Sequence, residues 1–160
     1  MLKVFLAGWL IVVSAYDLGQ LRIPNWLVAL GAAAAAFGLS TEALSFQPQG
    51  WWIAAGVAAA VAALLPAYIF NIMGAADVKL GVVLALWFSM SCLGAIWVIG
   101  SLLCGLHALA LLALPHLRQR LLEAGMPGAA HLPGAMARKR QIPYGAYLAI
   151  GALATMAVAS

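Results

Sequence analysis

Acidic side chains are nearly missing from this chain. Among 160 residues only Asp17, Glu42, Asp77 and Glu123 carry a carboxylate, and residues of either charge make up 8%. With 66% hydrophobic residues and a mean hydropathy of +1.06, too little polar surface remains to cover a soluble globule, so the composition excludes that class. Cysteine is scarce as well: Cys92 and Cys104 are the two present, both in apolar stretches. Their separation fits neither a CxxC metal site nor a reactive pair, and packing is the role they suggest. No HExxH or GxSxG occurs, and His107, His116 and His131 read as packing or surface positions, so neither a metal nor a cofactor is expected.

What is present is a succession of long apolar runs. Hydrocarbon about 30 Å thick needs roughly 20 apolar residues per helical crossing. The runs are continuous in Ala, Leu, Val and Ile, whereas a membrane barrel would alternate apolar with polar. The chain therefore reads as an all-α polytopic membrane protein, a single transmembrane domain over 1–160 with about six crossings. Helices are expected over Leu2–Tyr16, Pro24–Leu39 and Trp51–Phe70. The apolar stretch Leu80–Leu114 is too long for one crossing and divides near Ser89–Gly94 or, alternatively, at Gly100–Ser101. A last helix is expected over Pro143–Val158, and His116–Gln141 reads as one sizeable loop. Gly56, Gly100 and Gly105 suggest close helix packing, and the tryptophans, notably Trp51 and Trp52, suggest interface anchors.

Basic residues orient these crossings. The loops after the first, third and fifth helices share one side and hold Arg22, Lys79, Arg118, Arg120, Arg138, Lys139 and Arg140, leaving Lys3 alone on the other. The excess of basic residues places those loops in the cytoplasm and both termini outside it. The net charge of +4 is accounted for by this asymmetry, so membrane lipid is an expected partner and nucleic acid is not.

Two of the four acids then come together. Between Asp17 and Asp77 the chain crosses twice, so both carboxylates return to the same face. Facing each other in a partly dry site they cannot both ionise easily, and the pair tends to hold one proton. One carboxylate can then take a proton from water while its partner donates one to a scissile carbonyl, as in an aspartic protease. The plain alternative is a pair of interfacial acids, with Asp77 capping a helix. Lys79, two positions along a helix from Asp77, points to nearly the opposite side and is expected among headgroups. Pro24 and Pro143 each open an apolar helix on the same face.

Tyr16-Asp17 with Arg22-Ile23-Pro24-Asn25, then Gly74-Ala75-Ala76-Asp77-Val78-Lys79-Leu80, then Ile142-Pro143-Tyr144-Gly145 resemble the three signatures of type IV prepilin peptidases. These are intramembrane aspartic proteases of the GxGD type, and the resemblance is closest to the short form serving Flp or Tad-type pili. It implies that Asp17 and Asp77 are the catalytic pair. It also implies that the substrate is a pilin precursor, cut at the cytoplasmic face of the bacterial inner membrane. Ala76 stands where the family pattern has Gly, and a catalytically inactive assembly protein is the reading that this departure opens. Long relatives carry an extra cysteine-paired domain and methylate the new N-terminus; their domain has no counterpart here, so peptidase activity without N-methyltransferase activity is expected. A small proton-coupled transporter also uses membrane acids, and Lys3 with Val13-Ser14-Ala15 has the form of a secretory signal.

Overall fold

The computed structural model of the chain describes residues 1–41, 50–71, 73–125 and 142–158. Glu42, His131, Gln141 and the run Arg138-Lys139-Arg140 lie outside the described residues. Within them, regular structure consists of six helices, α1 (Leu2–Gln20), α2 (Asn25–Ser40), α3 (Trp51–Ile69), α4 (Ala75–Trp87), α5 (Met90–Glu123) and α6 (Tyr144–Val158). The architecture is consistent with a polytopic membrane protein. By length and composition α1, α3 and α5 suffice to cross a membrane, while α2 and α6 are shorter apolar helices.

The long apolar stretch breaks at Phe88 and Ser89, two consecutive residues in extended conformation. Ser89 then caps α5 by accepting from the Cys92 amide. Gly100 and Ser101 do not break the helix. Gly100 is instead a packing position, where an added Cβ would lie 3.2 Å from Leu148 and 3.3 Å from the Tyr147 carbonyl of α6. By contrast Gly105 faces open space, so it has no part in helix packing.

The expected loop at His116–Gln141 begins later than the sequence suggested. α5 continues through Pro115 to Glu123, taking His116, Arg118 and Arg120 into the helix. Leu, Arg and Gln from Leu117 to Leu122 favour helix, and nothing there outweighs them. At 34 residues α5 is about 51 Å long, against about 20 Å for the 13 residues of α4.

α6 is the central element. It packs against α1, α4 and α5, whereas α1 and α4 make no close backbone contact with each other among the described residues. α2 closes the ring by packing on α1 and α4, and α3 lies against α4. Two tryptophans fasten that ring from inside, contrary to the expectation of interface anchoring. Trp9 donates its indole N–H to the Leu27 carbonyl at 2.8 Å, and Trp87 to the Gly31 carbonyl at 3.0 Å, both buried. An indole inside an apolar core needs such an acceptor, and α2 offers two carbonyls one turn apart. Trp26, Trp51 and Trp52 are exposed, with the rings of the last two stacked.

Candidate active site

α1 ends one turn after Asp17, and a single backbone device ends it. Leu21 adopts the left-handed conformation (φ 54°, ψ 31°), and its amide bonds to the Asp17 carbonyl at 2.9 Å. For a residue with a Cβ this conformation costs about 1–2 kcal/mol, so the surrounding fold holds it. The turn delivers Ile23 into the core and Pro24 to the residue flanking α2, which starts at Asn25. Asp17 thus lies inside its helix and is 5% exposed, the one buried carboxylate among the described residues.

Asp77 is the third residue of α4, not the residue before it. Gly74 occupies the cap, and its carbonyl accepts from the Asp77 amide at 3.1 Å. The Asp77 carboxylate, half-buried, faces the backbone amides of Gly74 and Gly145. Reaching back to the cap amide from the third position is one half of a capping box.

The first turn of α6 completes the arrangement. Pro143 is buried and precedes Tyr144, Gly145 and Ala146. Ala146 donates its amide to Asp17 Oδ2 at 2.7 Å, and the Gly145 amide also faces that carboxylate. Each acid therefore meets the amide-rich start of a helix, Asp77 those of α4 and α6 and Asp17 that of α6, where free N–H groups and the helix dipole favour negative charge.

The gap between the two acids lies over Gly145. A Cβ placed on it would lie 3.0 Å from Asp77 Oδ1, 3.1 Å from Asp17 Oδ2 and 2.7 Å from Ile23 Cδ1. Two oxygens 3.0 and 3.1 Å from one point are at most about 6.1 Å apart. That limit is short enough for a single water to reach both oxygens at hydrogen-bond length. The two carboxylates also act on each other electrostatically.

The other sequence-selected residues divide into those at the gap and those that hold it. Asp17, Ile23, Asp77 and Gly145 converge. Gly74 flanks the group, and its added Cβ would make only an ordinary 3.5 Å contact with Asp77. Ala76 sits in the first turn of α4 without a positive φ and packs against the core, so the position makes no conformational demand for glycine. Lys79 does bypass Asp77, but its partner is Asn25, whose side-chain oxygen accepts from Nζ at 3.1 Å. That bond joins the first signature to the second. Tyr144 shares a hydrogen bond with Ser101 at 3.3 Å, while Arg22 is exposed.

Several participants escaped the sequence reading. The Ala146 amide is a backbone group and leaves no mark in sequence. His107, expected to have no clear partner, bonds through Nδ1 to the Tyr147 hydroxyl, with the rings edge to face. Ser101, Cys104 and His107 recur every third residue in an otherwise apolar helix, which was the available signal for a polar edge. Among the described residues no cluster of three or more His, Cys, Asp or Glu gathers where it could hold a metal.

The model of the type IV leader peptidase family matches residues 4–109. This chain belongs to the type IV leader peptidase family. The matched residues include both acids, the turn at Arg22–Asn25 and the Gly74–Lys79 segment, while Ile142–Gly145 follows them. No curated protein and no solved structure matches the chain. Membership in the leader peptidase family makes it a protease of prepilin-leader type, and with its apolar helices a membrane protein.

Proposed function

We propose that this leader peptidase is an aspartic endopeptidase whose catalytic pair is Asp17 and Asp77. The observation that carries the reading is the convergence of one oxygen of each carboxylate on Gly145, 3.0 and 3.1 Å from where a Cβ on that residue would stand. A water held there is placed for attack. One carboxylate accepts a proton as the water oxygen bonds to the scissile carbonyl carbon, and the protonated partner donates to the carbonyl oxygen. Collapse of the tetrahedral intermediate breaks the C–N bond and returns a proton to the leaving amine. The acid and base roles belong to the pair jointly.

In the same reading the chain is a single transmembrane peptidase domain of six crossings with both termini outside the cytoplasm. The site opens on the cytoplasmic face of the bacterial inner membrane, where it removes the leader of a Flp-type pilin precursor without methylating the product. Four helix ends or turns bearing signature residues meet at one end of the bundle, which agrees with the face chosen by the basic loops. Ala76, the departure that opens the reading of an inactive relative, has no positive φ and lies in the first turn of α4, which supports an active enzyme.

A gel-shift assay tests the proposal, co-expressing a Flp-type pilin precursor with the native chain, Asp17→Asn or Asp77→Asn. Cleavage by the native chain, reduced at least about a thousandfold in each variant, is the expected outcome. Cleavage that survives either substitution would remove the dyad from the mechanism.

A further inference from the structure

A peptide bond must leave the helix before a protease can attack it, and in an apolar setting every backbone N–H and C=O so released needs a partner. The carboxylate pair serves only the scissile bond itself. The flanking residues of an unwound substrate therefore require donors and acceptors beside the dyad, supplied by the protein.

The polar groups around the gap fall into two kinds. On one side, Lys79 and Asn25 bond to each other. On the other, α5 and α6 present two hydroxyl-bearing pairs, Ser101 with Tyr144 and His107 with Tyr147. Tyr144 and Tyr147 immediately flank Gly145 and Ala146, whose backbone meets both acids, so both pairs are carried next to the dyad. Ser101 is exposed, and Tyr144, His107 and Tyr147 are half-buried, so none is sealed in the core.

Each pair has bonding capacity left over. Ser101 and Tyr144 hold two hydroxyl hydrogens and use one between them. In the second pair, if the Tyr147 hydroxyl donates to Nδ1, the imidazole keeps an Nε2 hydrogen; if Nδ1 donates, the hydroxyl keeps its own. In either tautomer one donor remains.

We propose that the Ser101–Tyr144 and His107–Tyr147 pairs form a backbone-binding subsite, which holds the unwound peptide segment next to the scissile bond. The inference rests on the peptidase reading and adds positioning residues to it. It assigns His107 the task of orienting Tyr147, and Ser101 that of orienting Tyr144.

The test combines kinetics with cross-linking, using the full chain in detergent and a Flp-type pilin precursor. Tyr147→Phe and Ser101→Ala should each raise KM about threefold to tenfold with kcat within twofold of native. His107→Gln, which retains a donor and an acceptor, should fall between native and His107→Leu. A photo-reactive benzoylphenylalanine at position 147 in the Asp77→Asn chain should capture precursor residues within a few positions of the cleavage site. The same label at Val98, exposed on α5, should not. Native cleavage with KM unmoved in both variants, or no capture at 147, overturns the subsite and leaves the peptidase reading standing. A native chain that cuts no precursor overturns the peptidase reading, and capture at 147 then decides separately whether these pairs hold a peptide.

Discussion

The Ala146 amide donates to Asp17 Oδ2 at 2.7 Å across 129 residues of sequence, joining the end of α1 to the first turn of α6. Since α1 and α4 make no close backbone contact with each other among the described residues, this contact and the approach of Gly145 to Asp77 help bring the acids within reach.

Gly145→Ala is expected to abolish activity while leaving the fold intact. The new methyl would enter the space between the carboxylates, at 3.0 and 3.1 Å, whereas its closest neighbour, Ile23 Cδ1, is the free end of a flexible side chain. Cleavage should fall at least about a hundredfold with a stability loss below about 2 kcal/mol. A precursor-cleavage rate within threefold of native would show that nothing needs that space.

Ala76→Gly should not improve the enzyme. Ala76 already has helical geometry and packs against the core, so glycine adds backbone freedom in the unfolded chain and removes a packed methyl, a loss of at least about 0.5–1 kcal/mol. Denaturation in detergent measures the loss, and a gain in cleavage rate would contradict the account of this position.

Gly151→Ala probes the seam that locates α6. Its Cβ would lie 2.8 Å from the Ile96 carbonyl oxygen, a backbone atom that cannot swing aside, so α5 and α6 must part. The expected cost is about 1–3 kcal/mol. Activity per folded molecule should fall as well, because the same helix carries Gly145 and Ala146. An unchanged rate in the folded fraction would mean that the first turn of α6 is placed independently of the seam.

Lys79→Met and Asn25→Leu form a double-mutant cycle across one exposed hydrogen bond. A coupling of about 0–1 kcal/mol is expected. The pH–rate profile of Lys79→Met should keep its native shape, since Nζ is engaged with Asn25. A displaced profile would make Lys79 an electrostatic partner of the dyad.

The meeting of Asp17 and Asp77 was legible in sequence because crossing parity is a counting argument and does not depend on knowing helix boundaries closely. The split of the long apolar stretch was legible near Ser89 because the stretch is too long for one crossing, and the cap at Ser89 is what the structure adds. Gly100 was ambiguous, because a glycine that admits a neighbouring helix and one that ends its own look alike in sequence. The length of α5 was hidden by Pro115, which reads as a stop and is carried inside the helix. The fastening of Asp17 by a main-chain amide was silent, since no side chain identifies the donor. Trp9 and Trp87 misled for a related reason: an indole suits an interface or a core acceptor equally, and only the fold supplies the carbonyls.

The order of the helices along the chain has a consequence for biosynthesis. Synthesis from the N-terminus produces Asp17 first and Asp77 some sixty residues later, yet the turn that brings them together, Pro143 to Ala146, is made only after both. A nascent chain with five inserted helices thus possesses both acids and no assembled pair. On the proposed mechanism hydrolytic competence would begin only with the sixth helix, so a stalled or prematurely released chain would lack peptidase activity.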